Sequence, residues 1–141
     1  MHAATPADVR WVCLPPDPES SARCRHFIGS AFGDWGLPEG LDDAQLLVSE
    51  LCSNVIRHAG TAMVVTACWA PDERMVRVNV HDGSSRMPLA TAPSDLASSG
   101  RGLRIVGRVA RRWGSHRSAF GKTVWFELGV GAPRVVPAQA R

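Results

Sequence analysis

The stretch Leu46–Gly60, LLVSELCSNVIRHAG, decides how the rest of the chain is read. Val48, Leu51, Cys52 and Val55 recur at helical spacing and make one apolar face, which predicts a helix packed on a sheet. The helix is expected to start near Asp42, with Leu41 as a staple, and to run to about Ala59, with Gly60 as a natural stop. Glu50, Asn54 and His58 then follow one another at four-residue steps along a single line. A solvated helix face accounts for such a line by itself. An active site accounts for it too, because a packed helix holds the three side chains rigidly. A carboxylate can orient or deprotonate an attacking hydroxyl. An amide oxygen is a hard, neutral ligand that suits Mg²⁺, an ion that keeps several waters and takes few protein ligands beside phosphate oxygens.

Outward from this helix, VRWVCL (Val9 to Leu14) reads as a strand stopped by Pro15-Pro16. A helix with Pro18 at its start follows, with Ala22, Phe27, Ala31 and Phe32 as its apolar positions and an end near Gly36. On the other side, Met63 to Trp69 and Met75 to Asp82 read as strands joined through Pro71-Asp72-Glu73. Val76, Val78 and Val80 alternate with Arg77, Asn79 and His81, the pattern of a half-buried strand. Residues Gly83 to Gly100 are rich in Ser, Pro, Gly and Ala and read as a long loop. A third helix is expected over Arg101 to Trp113, then strands over Ser115 to Ala119 and Thr123 to Leu128 around Phe120-Gly121-Lys122. Residues 1–129 form one expected domain and residues 130–141 a flexible tail. The order β-α-α-β-β-loop-α-β-β favours a two-layer α/β sandwich with hairpins over a doubly wound parallel sheet.

Bulk composition narrows the function classes. The 141 residues are 45% apolar and 21% charged, which fits one soluble globular domain. A net charge of +3 permits nucleic acid without indicating it. No apolar run approaches the roughly 18 residues of a membrane span, and the charged, proline-bearing N-terminal segment does not read as a signal peptide. The cytoplasm is therefore the expected compartment. Cys13, Cys24, Cys52 and Cys68 form no C-x-x-C pair and are expected to be reduced thiols.

Three further segments carry chemistry. In VNVHDGS (Val78 to Ser84), an acid ends a strand, where it can accept a hydrogen bond from the exocyclic amine of adenine; a turn-forming Asp-Gly is the plain alternative. In SGRGL (Ser99 to Leu103), glycines open a helix, so backbone amides can approach phosphate. In GKTVWFEL (Gly121 to Leu128), Thr123 opens the last strand, and the glycine pattern of a P-loop is missing. Arg101, Arg104, Arg108 and Arg111, with Arg112 adjoining, make a basic stripe on the expected third helix. It reads as a solvated face, an acidic-partner surface or a phosphate contact, with nucleic acid ranked last because no aromatic platform accompanies it.

Taken together, LLVSELCSNVIRHAG, VHDGSSRMP, SGRGLRIV and GKTVWFEL resemble, in order and spacing, the N, G1, G2 and last boxes of the GHKL ATPase superfamily. That superfamily includes gyrase-type, chaperone and sensor histidine-kinase ATPases. The likeness extends to the small bacterial anti-sigma factor serine kinases of actinobacterial type. The resemblance implies a Bergerat-type ATP-binding fold with a mixed, mostly antiparallel sheet and helices on one face. It also implies ATP with Mg²⁺, Glu50 as general base and Asn54 as metal ligand. Arg57 and His58 would touch phosphate, Asp82 would read adenine with Ser84 beside it, and Thr123 would complete the adenine pocket near Asp82. Gly100, Arg101, Gly102 and Leu103 would close over the phosphates, and Ser85 to Ser99 would be the lid. Ser84 stands where many members have a glycine, which bears on the backbone path around adenine. The implied partners are a sigma factor and an anti-anti-sigma antagonist; a homodimer is allowed, and no membrane is involved. A module that sequesters a transcription factor without chemistry is the alternative, and simple ATP hydrolysis coupled to conformational change is a third.

Overall fold

The computed structural model describes residues 4–84 and 109–130. The elements run β1 (Asp8–Leu14), α1 (Glu19–Trp35), α2 (Leu41–Asn54), a π-helical turn (Val55–Ala59), β2 (Met63–Ala70), a 3₁₀ turn (Pro71–Glu73), β3 (Met75–Asp82), β4 (Arg112–Ser118) and β5 (Gly121–Gly129). The five strands form one antiparallel sheet in the order β1-β2-β3-β5-β4. The result is the two-layer α/β arrangement expected from the sequence, with every described strand pair antiparallel.

Strand alternation sorts the sheet into two faces. Val65 and Ala67 of β2, Val76, Val78 and Val80 of β3, and Val124, Phe126 and Leu128 of β5 are buried toward the helices. Against them α2 packs Ala44, Leu47, Val48, Leu51 and Cys52, the face read from the sequence extended by one turn. In α1 the buried positions are Ser20, Cys24, Ile28, Ala31 and Phe32. The expected stripe was rotated: Ala22 is exposed and Phe27 only half-buried. Ser20 tolerates full burial because its hydroxyl donates to the Pro15 carbonyl at 2.7 Å. Gly36 ends α1 in the left-handed region, where Leu37 N–H bonds back to the Phe32 carbonyl at 3.0 Å.

Three expectations change. Cys24 and Cys52 are joined in a disulfide rather than standing as thiols, linking the facing sides of α1 and α2. Their Cα atoms are 7.2 Å apart, beyond the usual span of about 4.4–6.8 Å for a disulfide. Nothing in their 28-residue separation advertises the pairing, because packing rather than a spacing motif brings them together. Arg112 and Trp113, expected at the end of the third helix, belong instead to β4. Trp113 sits opposite Phe126 and Arg112 opposite Glu127, so β5 pairing overrides the helical spacing. Lastly, Val130, assigned to the tail, is 2% exposed and donates its N–H to the Arg74 carbonyl at 3.0 Å.

On the other face of the sheet, Glu127 is 3% exposed and bonded by both oxygens. Arg112 Nε donates at 2.8 Å to one and Arg77 Nη1 at 3.1 Å to the other. The Arg112 hydrogen bond is the main reason the Glu127 carboxyl sits below its ordinary range, with Arg77 adding to it. A folded-state pKa below the unfolded value stabilises the fold above the ordinary glutamate range, and the contribution fades as pH falls through the lowered value. Glu127→Gln is therefore expected to cost about 1–2 kcal/mol at neutral pH, read from urea melts. The difference from wild type should shrink as the pH is taken down through the acid range.

Candidate functional site

The helix that opened the sequence reading does not run on as one α-helix. It is α-helical to Asn54 and then continues as a π turn over Val55–Ala59. Gly60, left-handed at φ 65°, closes the turn by donating to the Val55 carbonyl at 2.9 Å, five residues back. A π turn needs more residues per revolution than an α turn, so His58 is carried out of register with Glu50 and Asn54. The expected three-residue line thus becomes a pair, Glu50 and Asn54, both half-buried, followed by exposed Arg57 and His58. Arg57 Nη2 donates to Asn54 Oδ1 at 3.2 Å. Glu50 makes no hydrogen bond or ion pair to any described residue. Single-turn π bulges recur at functional sites.

The end of β3 comes up beside this turn. Gly83 N–H donates to Thr61 Oγ1 at 2.9 Å, and Thr61 directly follows the Gly60 stop. Asp82 continues the buried alternation of Val76, Val78 and Val80, so it faces the helix layer and is 1% exposed. Its Oδ1 accepts from Ser84 N–H at 2.8 Å, the local turn that an Asp-Gly-Ser sequence favours. Lys122, opposite Asp82 across the β3–β5 pair, places Nζ 2.9 Å from Oδ2 and 3.1 Å from Oδ1. The aligned hydrogen bond goes to Oδ1, so Oδ2 feels the charge of Lys122 while keeping a buried lone pair with no aligned donor. A buried acceptor in that state suits a ligand N–H.

A family model for the histidine kinase-like ATPase domain matches residues 14–128. The chain belongs to that family. No curated protein matches it. Among solved structures, the chain is similar to one described as the RsbU and RsbW domains of Rv1364c from Mycobacterium tuberculosis. The TM-score is 0.68 at 19% identity, over 94% of this chain and 35% of that one. At that identity the likeness speaks for the fold, and this chain spans about a third of the other's length.

Within this histidine kinase-like ATPase domain the described candidate residues divide in two. Glu50, Asn54, Asp82 and Ser84 lie on the helix side or at the end of β3, where Thr61 ties the two segments together. Thr123 does not join them. It pairs with His81 rather than Asp82, and its hydroxyl lies 2.9 Å from His81 Nδ1 on the opposite face of the sheet. Alternation along β5 gives the position beside Asp82 to Lys122, one residue earlier. Sequence reasoning missed Lys122 and Thr61. The two-residue alternation of GKTVWFEL, counted back from Val124 and Phe126 as inward residues, points to Lys122. The expected phosphate turn Gly100, Arg101, Gly102, Leu103, the lid Ser85 to Ser99, and Arg104 and Arg108 of the basic stripe lie outside the described residues. Among the described residues, no helix is long and apolar enough to cross a membrane.

Proposed function

We propose that the domain binds ATP with Mg²⁺ and phosphorylates a seryl or threonyl hydroxyl on a partner protein, acting as a cytoplasmic anti-sigma-factor-like regulator. The observation that carries this reading is the buried Asp82 carboxylate with its unaligned Oδ2, tied by Gly83 and Thr61 to the turn that follows Glu50 and Asn54. Oδ2 is the natural acceptor for the adenine amine, with Lys122 shifting toward Oδ1 or the phosphates. Asn54 would offer Oδ1 to Mg²⁺ once Arg57 turns to the phosphates. Among the described residues no three His, Cys, Asp or Glu side chains converge, so the ion would rest on Asn54, phosphate oxygens and water. Glu50, half-buried and unpaired, would take the proton of the attacking hydroxyl. Bound Mg²⁺ supplies charge neutralisation on the transferring phosphate. By family likeness, the acceptor is an anti-anti-sigma antagonist and the competing client a sigma factor.

Transfer of labelled γ-phosphate to the cognate antagonist tests the chemistry. Glu50→Gln is expected to slow transfer by about 10²–10⁴-fold while ATP affinity stays within about twofold of wild type. Undiminished transfer by Glu50→Gln removes Glu50 as the base. A second reading, a binding module that titrates a transcription factor without chemistry, draws on one observation: Lys122 already holds the Asp82 carboxylate, in competition with an adenine amine. Sigma-factor capture by a protein that neither binds nor turns over ATP would favour it.

A further inference from the structure

We infer that the open face of the sheet, opposite the helices and apart from the nucleotide site, binds a small phosphate ester or free phosphate. Thr66, Arg77, Asn79, His81, His116 and Thr123 line a basin there of about 420 Å³, within the range of small-molecule sites. The register assembles it. His81, Thr123 and His116 stand in one cross-strand row over β3, β5 and β4, and Thr66 and Asn79 in the next over β2 and β3. Trp11 of β1, 66% exposed, flanks Thr66, and Trp125 of β5 flanks Asn79. A Cβ on Gly114 would lie 2.9 Å from Trp125 Cζ2, so the missing side chain lets the indole lie over β4. Arg77 then stacks on that indole, its Cζ 3.9 Å from the ring centroid.

The hydrogen bonds around the basin occupy its amide and carboxylate oxygens and leave several donors. Asn79 Oδ1 accepts from Arg77 Nε at 3.2 Å, which fixes the amide orientation and leaves Nδ2 as the outward group. Glu127 is the one carboxylate that the described strands place on this face, and both its oxygens are taken by Arg77 and Arg112. His81 and Thr123 bond each other. Arg77 Nη2, Asn79 Nδ2, the Thr66 hydroxyl and the His116 ring donate to no described residue. A shallow basin with one guanidinium, an outward amide N–H and no free carboxylate favours an oxyanion of several oxygens. An acidic ligand would find no free carboxylate to repel it, whereas a cation would meet the Arg77 guanidinium and no free anionic acceptor.

Amide NMR titration with inorganic phosphate and with glycerol 3-phosphate tests this, each in the presence of saturating acetate. The expected result is saturable millimolar shifts at Thr66, Asn79, His81, His116 and Thr123, with affinity lowered about fivefold or more by His116→Ala and by Thr66→Val. Both variants change half-buried or exposed positions and should keep the wild-type spectrum elsewhere. Tighter binding of the ester than of inorganic phosphate identifies a small ester as the ligand; equal binding identifies free phosphate. No shifts in this row with either probe, or shifts that both variants leave unchanged, overturn the inference. Phosphate shifts confined to Asn54, Arg57 and their neighbours also overturn it, since those residues belong to the helix side.

Discussion

Gly121→Ala is expected to remove a large part of the protein's stability, about 2–5 kcal/mol, and to disorder the end of β3 with it. Gly121 opens β5 at φ 138°, a backbone region closed to side chains, and is buried. A Cβ there would meet the Asp82 carbonyl oxygen at 1.9 Å and its carbonyl carbon at 2.9 Å. These are backbone atoms, so no side-chain rotation can relieve the contact. Either the β4–β5 hairpin moves away or β3 does, and both strands lie in the interior of the sheet order. The loss reads directly as a lowered midpoint in urea denaturation. A midpoint within error of wild type would show that β5 does not approach Asp82 as described. The same close approach explains why a glycine opens β5 directly after the Ala119-Phe120 turn.

The second large effect concerns the Asp82–Lys122 pair. Asp82→Ala leaves the Lys122 ammonium 7% exposed with no carboxylate, and breaking a buried pair from one side costs about 3–5 kcal/mol. Stability alone would not separate a structural pair from a nucleotide site. The double variant Asp82→Asn with Lys122→Met removes both charges at similar volume and is expected to recover stability to within about 1 kcal/mol of wild type. If Asp82 reads adenine, that stable double variant still binds ATP at least about tenfold more weakly, because the amide no longer offers a charged acceptor. Recovered stability together with wild-type ATP affinity would make the pair purely structural.

Most of the fold was legible because apolar periodicity and burial agree where the sheet is packed. Val76, Val78 and Val80 announced the inward face of β3, and Val48, Leu51 and Cys52 that of α2, with Val55 continuing it into the π turn. The readings that failed are those decided by one residue of register or by tertiary contact. The π turn after Asn54 moved His58 off its line, and i+4 counting from the sequence cannot foresee a change of helical pitch. A slip of one residue in β5 put Thr123 on the wrong face and hid Lys122, since Asp82 pairs with Lys122 and Thr123 with His81. Arg112 and Trp113 looked helical because their spacing continued an arginine and apolar rhythm, yet β5 claims them as partners of Glu127 and Phe126. The polar row on the open face went unread for a simpler reason. Outward strand positions are polar in most sheets, and only the hydrogen-bond inventory shows which of these groups are left as donors.

Calorimetric titration of ATP with and without Mg²⁺, on the wild type and on Asn54→Ala, tests the central claim that Asn54 and Asp82 frame one nucleotide site. Asn54 is half-buried and its amide bonds only to Arg57 among the described residues, so the variant should fold as the wild type does. The account predicts wild-type binding that Mg²⁺ strengthens about tenfold or more, and a residual, metal-independent affinity in Asn54→Ala. Equal Mg²⁺ dependence in both proteins, or no ATP binding by the wild type, would contradict it.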